Sequence, residues 1–188
     1  MKYLPINSEL FIYNRSLLAN KIKNDSIAIF NSNDIMPTNS DGTMPFKQNS
    51  DLFWLTGIDQ EESVFAIVKK NEKISELLFV KETNEHIAIW EGAKLSKELA
   101  TKNSGVQSVF WLSEMEKILS KEISEASKIY LNKNIHSRAA KVVQTRDDRY
   151  REGIQQNFPN KEILEVAPIM HELRFIKSKH EIDLMQKA

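Results

Sequence analysis

Three short apolar runs constrain this chain most: SIAIF (26–30), SVFAIVKK (63–70) and ELLFVKE (76–82). Each is rich in β-branched and aromatic residues and is bounded by polar or turn-forming ones, which is the pattern of strands. Between the second and third runs, VKKNEKISELL has the polar break of a hairpin connection, making those two strands antiparallel neighbours.

Helical spacing supplies the cover for such a sheet. Leu10, Tyr13 and Leu17, with Leu18 and Ile22 beside them, recur a turn apart after Ser8, which has N-cap chemistry. Ser113 followed by Glu116 has the form of a capping box, and Met115, Ile118 and Leu119 then give one apolar stripe. KIYLN (128–132) and KEILEV (161–166) read as further strands, and Ile135, Ala139, Val142 and Val143 as a helical face. The mixed charges of RDDRYRE (146–152) read as a solvated helix face. Strands and helices alternate imperfectly around at least one hairpin. That order favours an α/β fold, a mixed β-sheet of about six strands with helices on both faces, over an all-parallel doubly wound sheet.

Composition excludes more than it identifies. The 188 residues fit one domain of ordinary size, and 26 basic residues balance 26 acidic ones, so no whole-chain field draws the protein to nucleic acid or anionic lipid. The absence of cysteine removes disulfides, thiolate metal sites and a cysteine nucleophile, and fits a reducing compartment, with the cytoplasm as the expectation. MKYLPINSELF lacks the apolar core and cleavage site of a signal peptide, and no apolar stretch approaches the length of a membrane span.

Catalytic patterns are sparse. His86, His136, His171 and His180 do not fall at metal-ligand spacing, and HELRF (171–175) begins like a zincin helix but has Phe175 where the second ligand must stand. Surface or capping roles suit these histidines better. There is no GxGxxG, Walker-type loop or GxSxG, and Gly42, Gly57, Gly92, Gly105 and Gly153 are scattered singly. The residues alone spell out no self-sufficient active site.

Two stretches stand apart. In NSDGTMPFKQNSDLFWLTG (39–57), Pro45 sets an extended entry, the polar residues can satisfy loop backbone groups, and Phe53 and Trp54 start a buried strand. In HIAIWEG (86–92), Ile87 and Ile89 alternate with Ala88 and Trp90 until Gly92 ends the strand. Trp90 is placed either in the core or as a lid over a neighbouring surface.

Together with the ending PIMHELRFIKSKHEIDLMQKA, these stretches resemble the amino-terminal domain of aminopeptidase P, the Xaa-Pro aminopeptidases of the creatinase and prolidase superfamily. Pro45, Phe46, Gln48, Asn49, Ser50, Asp51, Thr56 and Gly57 match the family's "Pro-aromatic-basic-Gln-Asn-Ser-Asp, apolar run, Thr-Gly" as they stand. Lys47 replaces the more usual arginine, keeping the charge without the planar fork. Ile89, Trp90 and Gly92 match "Ile-Trp-x-Gly", and His171, Glu172, Arg174, Lys177, Ser178, Glu181 and Ile182 match the motif of the domain junction. The resemblance spans essentially the whole chain and is diffuse between residues 93 and 165.

It implies a creatinase amino-terminal-domain-like fold, with residues 1–176 a non-catalytic domain and 177–188 opening the first helix of an absent pita-bread catalytic domain. Ser178 and Glu181 would cap that helix, and Ile182, Met185 and Ala188 begin its apolar stripe. KQNSD is then a loop entering a strand formed by LFWLTG. Gln48, Asn49, Ser50, Asp51, Thr56, Gly57, Pro45, Gly92, His171, Glu172 and Arg174 are architectural. The implied parent hydrolyses the bond before a proline in second position on two divalent ions, usually manganese, held by two Asp, one His and two Glu that are not in these residues. This chain would hold no catalytic residue and no metal. It would restrict access and support assembly of dimers or tetramers, its partners being its own catalytic domain and further copies.

Asp41 and Trp90 occupy positions similar to family residues at the active-site mouth. Asp41 is either a salt-bridging or N-terminus-steering group or a turn residue before Gly42, and Trp90 either an apolar wall or a packing residue. An Asp41 ion pair would need Arg138, Lys141, Arg146 or Arg149, all in the diffuse region. A prolidase acting on dipeptides and an inactive peptide-binding relative are the alternatives within the same frame.

Overall fold

The computed structural model describes residues 6–83, 94–139 and 143–187. Its first half comprises α1 (Ser8–Lys21), β1 (Ser26–Asn31), α2 (Ser50–Thr56), β2 (Val64–Lys70), β3 (Lys73–Val80) and α3 (Lys97–Ser104). Then follow β4 (Ser108–Trp111), α4 (Met115–Glu125), β5 (Lys128–Leu131), α5 (Arg146–Asn157), β6 (Glu162–Glu165), α6 (Ala167–Phe175) and α7 (Lys179–Lys187). The strands form one six-stranded sheet in the order β4-β3-β2-β1-β5-β6. β1, β2 and β3 pair antiparallel, whereas β4, β5 and β6 join parallel to their neighbours. The mixed sheet with helices on both faces is the expected architecture.

Strand alternation builds a core on each side of the sheet. Ile27 and Ile29 point to one face, packing with Leu119, Ile123 and Ile154 of α4 and α5. Ala28 and Phe30 point to the other, joining Leu18, Leu52, Leu55 and Met170 of α1, α2 and α6. Central β1 is buried at all six positions, which is why its sequence is a continuous apolar run rather than an alternation.

Several elements differ from the sequence expectation. LFWLTG is not a strand but most of helix α2. The Asn49 Oδ1 accepts hydrogen bonds from the N–H groups of Asp51 (2.9 Å) and Leu52 (3.3 Å), and Gly57, at φ 67°, closes the other end by donating to the Phe53 carbonyl. Leu52 and Leu55 then fall on one buried face, a spacing that serves a helix and that the run of apolar residues concealed.

Asn7, not Ser8, caps α1. Ser113 and Glu116 form no capping box. The chain makes a 3-10 turn at Leu112–Glu114, Glu114 accepts from the Trp111 N–H at 2.9 Å, and the Ser113 N–H donates to Glu82 at 3.0 Å. The third strand starts and stops earlier than read, at Lys73–Val80. Residues 133–139 form no helix, Ile135 and Val143 are exposed, and 140–142 lie outside the described residues. The 146–152 face is not wholly solvated, because Arg146, Asp147 and Tyr150 are half-buried. HIAIWEG, with Trp90 and Gly92, lies outside the described residues.

Candidate functional site

The polar stretch Lys47–Asp51 is spent almost atom by atom on holding α2. Gln48, 7% exposed, donates from Nε2 to the carbonyls of Ile58 (3.1 Å) and Gln60 (2.8 Å), and its Oε1 accepts the Asn49 N–H at 2.7 Å. Thr56 donates to the Leu52 carbonyl and accepts the Ile58 N–H. Exposed Pro45 and half-buried Phe46 lead in, and exposed Ser50 opens the helix. Each buried polar atom of Gln48 and Thr56 is thereby satisfied, as burial requires.

Asp51 and Trp54 stand one turn apart on α2 and grip the last two helices. The Asp51 carboxylate pairs with Arg174 of α6 through Oδ1 and accepts from Asn132 Nδ2 at 3.0 Å through Oδ2. The Trp54 indole N–H donates to Glu181 of α7 at 2.8 Å. The other Glu181 oxygen accepts the Ser178 N–H (2.8 Å) and hydroxyl (2.9 Å), and the Glu181 N–H returns to Ser178 Oγ: a complete capping box. Burial is the largest single influence on the Glu181 carboxyl and raises it, but these donors together outweigh burial and hold it below its ordinary value. Glu172 makes a surface ion pair with Lys21.

α2 and α6 also line a cavity of about 680 Å³. It opens at the carboxyl ends of parallel β1 and β5, where Ser32 and Asn132 follow the strands, and at the first residues of α5. This is where open α/β sheets place ligands. His171, Arg174, Asp51 and Lys47 face it from one side, Arg146 and Asp147 from the other. Asn31 Nδ2 donates to Asp147 Oδ1 at 3.0 Å, and Arg146 Nη1 donates to Ser32 Oγ at 2.6 Å. Burial pushes the Asp147 carboxyl up to about 6, helped by Asp51 and Asp148 and opposed by the Asn31 bond and Arg146. Burial also lowers the Arg146 guanidinium from its ordinary value, against the attraction of Asp34, Glu62 and Asp147.

Asp41 is exposed at the tip of a small hairpin closed by the Pro37–Thr43 bridge and by the Gly42 N–H donating to Asn39 O at 3.1 Å. It makes no ion pair among the described residues. Of its candidate partners, Arg149 pairs with Asp34, Arg138 is exposed, and Lys141 lies outside the described residues.

The family model of the aminopeptidase P N-terminal domain matches residues 11–130. The chain belongs to this family. It is 24% identical over 185 residues to the Xaa-Pro aminopeptidase of Escherichia coli, covering 97% of this chain and 42% of that protein. A solved structure described as a candidate aminopeptidase P from Bacillus anthracis superposes with a TM-score of 0.89 at 27% identity, over 97% of this chain and 44% of the other. Zinc-substituted E. coli aminopeptidase P in complex with product superposes at 0.79 with 24% identity, over 98% of this chain and 42% of the other. The chain thus spans less than half the length of the relatives it matches.

Within this aminopeptidase P N-terminal domain, sequence reasoning missed Arg146, Asp147, Asn31 and Asn132 as neighbours. The available signal was the abrupt change to polar residues after SIAIF and KIYL, where strands end at a cleft. Arg15 was missed as well. It is 1% exposed in α1, donates to the Leu55 and Ser104 carbonyls (2.9 and 2.8 Å) and pairs with Glu76.

Proposed function

We propose that this chain is the non-catalytic front domain, residues 1–176, of a Xaa-Pro aminopeptidase, with 177–188 leading into the domain that performs hydrolysis. The family match over residues 11–130, on a chain spanning 42% of the E. coli Xaa-Pro aminopeptidase, carries this reading. The bond before proline is a tertiary amide with no N–H, and proline fixes φ, so such a substrate needs a dedicated pocket. In this reading the domain restricts entry to that pocket and supports dimer or tetramer assembly in the cytoplasm.

The parent would use two divalent ions, manganese by preference, to activate water and stabilise the oxyanion. Among the described residues no three metal-ligating side chains converge, so these residues do not fit a metal pair. We assign Asp41 the steering of substrate N-termini from its exposed hairpin, and Trp90 an apolar wall at the mouth.

Full-length protein should cleave a Xaa-Pro-Xaa tripeptide. Trp90→Ala should weaken turnover of longer peptides while leaving metal content unchanged, and unaltered kinetics would reject the wall role. Calorimetry on the 188-residue chain should find no stoichiometric submicromolar manganese site, and such a site would contradict the division of labour.

A further inference from the structure

We infer that the cleft at the carboxyl ends of β1 and β5 docks a peptide-like carboxylate, seated on Arg146. Of its other acidic groups, Asp51 is engaged by Arg174 and Asp34 by Arg149. Asp147 is held by the Asn31 amide. Arg146 is half-buried, yet among the described residues it has no carboxylate at ion-pair distance, and its one protein hydrogen bond is to Ser32 Oγ. A guanidinium carries five N–H donors, and taking it from water without a carboxylate in contact is costly, a cost that the more distant Asp34, Glu62 and Asp147 offset only in part. The direction of its pKa displacement agrees with that cost.

The shape of the missing partner follows from the fork. Two parallel N–H groups match a carboxylate bidentately. A dianion such as phosphate would meet the nearby Asp147, Asp51 and Asp34, so a singly charged group is favoured. Asn33, Asn49 and Asn134 also line the cavity, and each uses one amide atom within the chain. Asn33 donates to Lys47 O, whereas the oxygens of Asn49 and Asn134 accept backbone N–H groups. Their remaining amide atoms complement peptide groups. The cavity of about 680 Å³ lies in the size range of small-molecule sites. The inference is independent of whether the parent cleaves Xaa-Pro bonds.

The test is a ¹⁵N NMR titration of this chain at pH 7 and constant ionic strength. The probes are N-acetyl-Ala-Ala with a free carboxylate, its C-terminal amide, and inorganic phosphate, so that proline recognition plays no part. Saturable shifts at Ser32, Asn132, Arg146 and Asp147 are expected with the acid, at least ~10-fold weaker with the amide, as loss of a charged hydrogen-bonded pair implies. Arg146→Gln should weaken the acid by a similar factor and Arg146→Lys by less, with thermal unfolding checking the fold of each. If Arg146→Gln fails to fold, Arg146→Lys and the acid-against-amide comparison decide. Equal binding of acid and amide, tighter binding of phosphate, undiminished binding to a folded Arg146→Gln, or no saturable shift would each overturn the inference.

Discussion

Gly57→Ala offers a quantitative test of how α2 is anchored. Gly57 has φ +67°, and a Cβ there would lie 2.2 and 2.4 Å from Cε2 and Cζ of Phe11, and 2.9 Å from Cδ2. Phe11 is 3% exposed and packs edge-on against Phe53 at 6.2 Å, so its ring has little room to retreat. The left-handed backbone costs a residue with a Cβ ~1–2 kcal/mol. Forcing extra volume into a packed core adds ~1–3 kcal/mol. The sum, ~2–5 kcal/mol, at a urea slope of ~2 kcal/mol/M lowers the unfolding midpoint by ~1–2.5 M. Urea unfolding followed by circular dichroism and tryptophan fluorescence measures it.

Two comparisons separate the contributions. Gly105→Ala shares the positive φ, +77°, but its Cβ meets Ile12, which is 46% exposed and can move aside, so only the backbone cost of ~1–2 kcal/mol should appear. Combining Gly57→Ala with Phe11→Leu should cost less than the sum of the single changes, since one contact is shared. A Gly57→Ala loss under ~0.5 kcal/mol, or strict additivity in the double variant, would refute the steric reasoning.

Trp54→Phe keeps a ring on α2 but removes the indole N–H from Glu181. Hydrogen exchange should quicken severalfold in α7 and leave β1 unchanged, whereas unchanged α7 protection would show that the bond does not hold that helix. Asp147 gives a pH prediction of definite sign. Its folded value of about 6 exceeds the ordinary 3.8, so the folded state binds the extra proton and stability falls as pH rises from about 4 through 6. Asp147→Asn should flatten that slope and raise stability at pH 7 by at most ~3 kcal/mol, less to the extent that water enters the cleft. The introduced amide can also pair with Asn31 Oδ1, which is buried without a hydrogen-bond partner among the described residues. A slope that survives the substitution would reject the assignment to this carboxyl.

The central strands were legible because a strand buried on both faces must be apolar throughout, and SIAIF and SVFAIVKK are written that way. Gln48, Asp51, Thr56, Gly57 and Arg174 were singled out by resemblance rather than by local chemistry. The helical state of LFWLTG was missed. A seven-residue element carries too few turns for periodicity to outweigh apolar content, although Asn49 was its start signal and Gly57 its stop signal.

The order β4-β3-β2-β1-β5-β6 and the partners of Asp51, Trp54 and Arg15 belong to the tertiary structure alone. Asp51 meets Arg174, and Trp54 meets Glu181, across 123 and 127 residues of sequence. Local propensity carries no information over such separations, and chain closure is decided by which faces the sheet buries. The cleft has the same origin. RDDRYRE is a charged helix face by composition, and only its placement against the end of β1 buries Asp147 and leaves Arg146 without a carboxylate at ion-pair distance among the described residues. Residue types determined which groups could be charged, whereas packing decided which of them lost water and so which acquired unusual chemistry.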